Sequence, residues 1–283
     1  MASTELYTPA YLVETLGELD GDTLAMLNAL VVQSGWNQTA EDWALFSQQG
    51  TLFVVRVGEG LIVASGAVLP MGGTGAWISM ILVAPALRGR GLGRMVFERC
   101  LREVQRQGRT ALLDATPEGE KLYAQYDFVP LWRLTRWQRR AAVPIRPLTW
   151  EVAAGLEMIA ELDAEALGLA RPLVLAHLAG RAGSRLRCHA QGFAIVRAGR
   201  IAHQIGPLIA ANEATAALLL GELTNGTPEP LMVDVPDTCV LMHDQLGAAG
   251  FTPRRGFLRM ALGKALPDGQ TAFLYAIAGP EYG

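Results

Sequence analysis

Lysine is nearly absent from this chain: only Lys121 and Lys264 occur in 283 residues, so positive charge rests on arginine. Cysteine and histidine are sparse too, three and four residues. Cys100, Cys188 and Cys239 are isolated, so neither a disulfide framework nor a metal site is expected. A large net charge is missing; the formal value of -3 argues against general nucleic-acid binding. No uninterrupted apolar run approaches the length of a membrane span, and Met1 to Leu6 shows neither the basic nor the apolar region of a secretory signal. The expected setting is therefore the cytoplasm, without membrane or nucleic-acid partners. What remains is 51% hydrophobic and 18% charged, enough for two domains of about 140 residues.

One stretch is dense in glycine and arginine: Arg88, Gly89, Arg90, Gly91, Leu92 and Gly93. It follows an extended apolar segment, Trp77 to Val83, and precedes an amphipathic stretch from about Arg94 to Gln107. There Val96, Phe97, Cys100, Leu101 and Val104 recur at helical spacing, with Arg94, Glu98, Arg102, Glu103 and Arg106 between them. The pattern is strand, turn, helix. Three glycines in six residues let backbone approach an anion, and the free amides of a first helical turn point at it with the positive end of the dipole. No Lys-Ser/Thr pair follows, and the glycines fall at 89, 91 and 93, so this is neither a nucleotide P-loop nor a dinucleotide fingerprint. Taken alone, the six residues fit a phosphate cradle and an ordinary surface turn equally. Seven arginines between Arg88 and Arg109 suit phosphates, or, for Arg99, Arg102 and Arg106, a solvated helix face.

The flanking chain adds elements. Tyr11 to Thr15 reads as a strand, Asp20 to Gln33 as an amphipathic helix, and Ala40 to Gln48 as a second helix capped by Thr39 and Asp42. Leu52 to Val57, Leu61 to Leu69 and Ala76 to Val83 read as strands separated by glycine turns. Thr110 to Asp114 is a short strand, Thr116-Pro117 opens a helix, and Val129 to Gln138 suits a closing strand. Before that strand lie Leu122, Tyr123, Asp127 and Phe128.

These residues resemble the GNAT superfamily of acyl-CoA N-acyltransferases. Arg88, Gly91 and Gly93 match its R/Q-x-x-G-x-G/A pyrophosphate loop, preceded by Leu82, Val83 and Pro85. Leu122, Tyr123 and Phe128 match its L-Y-x-x-x-G-F signature, with Asp127 where glycine is usual; aspartate tolerates the left-handed conformation needed there. The resemblance implies an α+β fold of the GNAT type and acetyl-CoA as acyl donor, with no metal. It implies coenzyme contacts at Ile81, Leu82, Val83, Arg88, Gly89, Arg90, Gly91, Leu92, Gly93, Arg94, Thr116 and Tyr123. It implies direct attack by a primary amine, with Tyr123 protonating the departing thiolate; a phenol with a pKa near 10 holds its proton at neutral pH. Tyr126 is the rival donor if Asp127 shifts the register. The base is harder to place. The fourth strand offers Ser79 where such enzymes often carry glutamate. Asp114 is the best carboxylate by position, its alternative being a capping or loop-ordering role, and His203, His243 and Asp234 are candidates from across the domain boundary. An alkyl amine of pKa about 10.4 is neutral in only about one molecule per thousand near pH 7.4. The missing fourth-strand base also fits an idle acyl-CoA-binding sensor or scaffold. Gly35 to Gln38 and Asp42-Trp43 fall where the family builds its acceptor wall.

After a linker at 139–144 the chain repeats itself. Asp234 echoes Asp114 at an offset of 120, while Phe251 echoes Phe128 and Arg259 echoes Arg136 at 123. The expected organisation is a GNAT domain over 1–140 and a degenerate GNAT-like domain over 145–283, each a mixed, mostly antiparallel central sheet flanked by helices. Leu208 to Ala211 align with Leu82 to Pro85, but Asn212 and Glu213 follow instead of the arginine-glycine loop, and Leu241-Met242 replace Leu122-Tyr123. Acyl-CoA is expected in the first half only.

Overall fold

The computed structural model describes residues 11–140, 155–225, 227–263 and 269–283; positions 141–144 of the expected linker lie outside them. The first half runs β1 (Val13–Thr15), α1 (Gly21–Gln33), α2 (Ala40–Gln49), β2 (Thr51–Val57), β3 (Leu61–Met71), β4 (Gly75–Val83), α3 (Leu92–Arg106), β5 (Thr110–Ala115), α4 (Pro117–Tyr123) and β6 (Val129–Arg139). Helix starts are fixed locally. Asp20 accepts from the Thr23 amide, Thr39 and Asp42 form a capping box, and Thr116 accepts from the Gly119 amide ahead of α4. The second half repeats the plan: α5 (Leu156–Leu167), α6 (Pro172–Gly180), β7 (Arg185–His189), β8 (Gly192–Arg197), β9 (His203–Ala210), α7 (Glu213–Asn225), β10 (Leu231–Pro236), α8 (Val240–Ala248), β11 (Thr252–Leu262) and an added β12 (Leu274–Ala276). Among the described residues no helix is long and apolar enough to cross a membrane.

The two sheets expected from the sequence are joined into one of twelve strands, in the order β1-β2-β3-β4-β5-β11-β6-β10-β9-β8-β7, with β12 beside β9. The closing strands have changed places. The second half's β11 lies against β5 of the first half, and the first half's β6 lies against β10 of the second. Two ion pairs mark the exchange. Arg259 stands opposite Asp114 and Arg136 opposite Asp234, each guanidinium donating two hydrogen bonds of 2.7–2.8 Å to its carboxylate. A one-residue slip of either strand would turn its arginine to the other face and strand a buried carboxylate, at several kcal/mol.

The halves also share a core. Trp43, Phe46, Leu69 and Trp77 of the first pack in one cluster with Leu169, Phe193, Phe257 and Tyr282 of the second. Segment 277–283 runs through this seam. Tyr282 is fully buried, stacks on Phe46 at 5.5 Å, and its phenol donates to Asp42 at 2.6 Å. Trp77 Nε1 donates to the Pro280 carbonyl at 2.9 Å. Arg171, bidentate to the equally buried Asp163 at 2.8 Å, also donates to the carbonyls of Tyr282 and Gly283.

Candidate active site

β4 and β5 run parallel, yet they pair only from Gly75 to Trp77 against Thr110 to Leu112. Beyond Trp77 they part, because β4 is bulged. Met80 sits at φ 56°, a left-handed conformation rare outside glycine, and the register against β3 shifts between Ser65 and Ala67. The Ser65 hydroxyl ties the displaced Met80 carbonyl down at 3.0 Å. From Ile78 onward one edge of β4 therefore faces a cleft instead of a strand.

At the far end of β4 the chain turns through Arg88 to Gly93. Gly89 and Gly91 take φ 75° and 82°, and no atom lies within 4 Å of a Cβ added to either. Gly91 is the N-cap of α3, so the helix begins at Leu92, two residues before the sequence spacing suggested, with Leu92 buried beneath it. The first-turn amides of α3 have no intrahelical acceptor and open onto this space. Arg88 is steadied by the Val83 carbonyl at 3.1 Å and the Ser34 hydroxyl at 3.2 Å. The turn, open helix end and bare strand edge fit a coenzyme that carries a pyrophosphate at one end and an amide-bearing arm at the other.

At the other end of the cleft is a cavity of about 80 Å³. Of the residues expected at the site, Ile81, Asp114, Thr116 and Tyr123 line it; Leu82 points into the core, and Arg88 to Arg94 lie outside the cavity at the loop. Tyr123 packs on Phe97, with ring centroids 4.7 Å apart, and on Phe128 at 6.1 Å. Burial pushes its phenol well above the usual range, so it keeps its proton. Tyr126, the rival, is engaged elsewhere: it donates to Glu98 at 2.5 Å and accepts from Arg94 at 3.2 Å. Asp127 takes φ 62°, the left-handed conformation expected at the glycine position.

Asp114, the base expected from the sequence, lines the cavity but is engaged in an ion pair. Its carboxylate has no exposure and accepts both of its hydrogen bonds from Arg259, whose guanidinium is sandwiched between Trp77 and Trp132 at 4.6 and 4.2 Å. Burial pushes this carboxyl up and Arg259 pulls it back. Its geometry is that of a strand-register ion pair. Asp234 is held likewise by Arg136, and His243 sits between Trp137 Nε1 and the Pro236 carbonyl; neither they nor His203 line the cavity.

Sequence reasoning missed a second carboxylate that lines the cavity. Glu281, from segment 277–283, accepts from Arg197 at 3.0 Å on one oxygen and from Gln38 at 2.9 Å on the other. Burial pushes its carboxyl above the ordinary glutamate range, against Arg197 and with a further push from Asp42. Two buried polar atoms on the cavity wall, Ser79 Oγ and Gln38 Oε1, have no hydrogen-bond partner among the described residues. The wall thus combines Trp36 and Gln38, expected from the sequence region, with Arg255, Phe257, Pro280 and Glu281 from the other half.

The matching cleft in the second half is filled. β9 and β10 pair in parallel only from His203 to Ile205 against Leu231 to Val233. β12 then pairs with β9, and the Ile277 amide donates to the Asp234 carbonyl at 3.0 Å. Gly206, the repeat partner of Met80, takes φ 144°, and a Cβ there would lie 1.9 Å from the Ile277 carbonyl oxygen. Only glycine admits the inserted strand.

Comparison with known proteins gives a consistent picture. A family model described as an acetyltransferase (GNAT) domain matches residues 48–130, and a second model of the same description matches residues 159–276. An N-acetyltransferase of Bacillus subtilis (strain 168), YitH, described as uncharacterized, is 25% identical over 254 residues, covering 84% of this chain and 88% of its own. A putative acetyltransferase from Pyrococcus horikoshii superposes over 100% of this chain and 99% of its own with a TM-score of 0.82 at 22% identity. A tandem GNAT protein from the clavulanic acid biosynthesis pathway covers 92% of this chain and 100% of its own, with a TM-score of 0.64 at 17% identity. At these identities the structural likeness bears on the fold.

Proposed function

The chain belongs to the GNAT acetyltransferases, with two such domains in tandem, and on that premise we propose that its first half binds acetyl-CoA and passes the acetyl group to a primary amine held in the shared cavity. The observation that carries this reading is the asymmetry of the two clefts. One is open, leads from a glycine-rich helix N-terminus to a protonated tyrosine, and ends in a partly polar cavity; the other is occupied by β12.

The loop amides and Arg88 take the pyrophosphate, and the free edge of β4 hydrogen-bonds the coenzyme's arm. The amine nitrogen attacks the thioester carbonyl carbon, the carbon–sulfur bond breaks, and Tyr123 gives its proton to the departing sulfur. Gln38 Oε1 and Ser79 Oγ are placed for the amine's N–H groups. Glu281 takes the amine's proton; with its pKa raised by burial, it is a stronger base than a free glutamate.

Coenzyme A release with a panel of primary amines tests the whole reading, and calorimetry should give one acetyl-CoA per chain. Tight binding without release on any amine would instead support an acyl-CoA sensor, the reading favoured by a serine at position 79. Gly91→Val should raise the Kd for acetyl-CoA at least about tenfold, because a β-branched residue pays roughly 1–2 kcal/mol at φ 82° and crowds the phosphate cradle. An unchanged Kd in a folded variant would remove the loop from the binding site. Glu281→Gln should lower kcat/KM about a hundredfold at neutral pH. In the parent protein the acidic limb of kcat/KM should lie above the ordinary glutamate range, since the base works only when ionised and burial raises its pKa; in the variant that limb should vanish. A pH profile identical in both would exclude Glu281 as base.

A further inference from the structure

Four charged side chains line the cavity, and three have a buried counter-charge: Asp114 with Arg259, Arg136 with Asp234, and Glu281 with Arg197. Arg255 does not. Its guanidinium makes no hydrogen bond or ion pair among the described residues, and its close neighbour is the Phe257 ring, 4.7 Å from the guanidinium carbon. It is only partly exposed, and it reaches the cavity because β11 has crossed into the first half's sheet. Five N–H donors and a full positive charge are thus held at the cavity with no direct acceptor among the described residues, Glu118 and Asp234 attracting the charge only from beyond ion-pair distance. Acetyl-CoA cannot supply the partner here, since its phosphates belong at the loop and the arm that enters the cleft is uncharged.

Building on the proposed amine acetylation, we propose that the acceptor also carries a carboxylate, which Arg255 binds through its guanidinium fork while the amine faces Gln38 and Glu281. The substrate class is a short amino carboxylate, such as an amino acid. A planar fork matches a carboxylate in two parallel hydrogen bonds, and the same group neutralises the cavity's unpaired charge.

The test uses the full chain, acetyl-CoA and matched amines: β-alanine against propylamine, γ-aminobutyrate against butylamine, and α-amino acids against their amides. In at least one pair the carboxylate-bearing amine should be acetylated at nitrogen with a kcat/KM at least tenfold higher. Arg255→Met should erase that preference mainly through KM, and Arg255→Lys, which keeps the charge but loses the fork, should keep part of it. Equal or better turnover of the uncharged member in every pair, or a preference that survives in Arg255→Met, overturns the proposal. If no amine is acetylated, the transfer reading fails, and calorimetry of the same carboxylates on coenzyme A-loaded protein decides the matter. Binding at least tenfold weaker in Arg255→Met sustains a carboxylate site; no carboxylate binding to the parent protein overturns it.

Discussion

Tyr123→Phe is expected to lower kcat about a thousandfold with little change in acetyl-CoA affinity, within the range usual for a general acid. The ring's packing on Phe97 and Phe128 does not need the hydroxyl, so phenylalanine keeps the wall of the cleft and removes only the proton donor. Burial holds that phenol protonated far above neutral pH, so in the parent protein this step should place no alkaline limb below pH 10 or so. Tyr126→Phe is the matched control, since its hydroxyl is bound to Glu98 and Arg94 outside the cavity. Steady-state coenzyme A release and calorimetric Kd measure both effects. A loss under tenfold for Tyr123→Phe, or an equal loss for Tyr126→Phe, would take the proton-donor role from Tyr123.

The second large effect concerns stability. Arg171→Met should cost about 3–5 kcal/mol, because it leaves the fully buried Asp163 carboxylate without its partner. The double variant Arg171→Met, Asp163→Asn should recover part of that loss, since no buried charge is then stranded. Denaturant midpoints compare the three proteins. Arg171 also holds the carbonyls of Tyr282 and Gly283, so activity should fall further than stability alone explains, through displacement of the adjoining Glu281. A single variant as stable as the parent would show that the pair is solvated in a way its burial does not suggest.

Much of the first half was legible because its signals are local. Cap residues, glycine turns and the spacing of Val96, Phe97, Cys100 and Val104 are written within a few residues of each other, and the structure places the elements accordingly. Even the Asp127 substitution was readable, since αL tolerance belongs to the residue itself. The exchange of β6 and β11 was not, because strand periodicity says which face is buried but not which strand lies alongside. A signal was present nonetheless. Asp114 and Asp234, Arg136 and Arg259 recur in both halves, and a buried aspartate needs an arginine; the repeat shows the residues but not that each pairs with the other copy's. Glu281 was missed for a related reason. It belongs to no periodic element, and its importance comes from contacts with Gln38, 243 positions earlier, and with Arg197. Arg255 differs from its neighbour Arg254 only through the position that strand exchange gives it.

The crossing of the strands also sets a schedule. Arg259 follows Asp114 by 145 residues, and ribosomes add about 5–20 residues per second, so roughly 7 to 29 seconds of synthesis separate the two partners. Throughout that interval β5 has an open edge that β11 cannot yet fill, and β6 is the strand at hand to cover it. The finished sheet requires β6 to lie one place further along, beside β10. A nascent chain released before Arg255 is made therefore carries the Arg88 to Gly93 turn but lacks the Arg255 and Glu281 walls of the cavity.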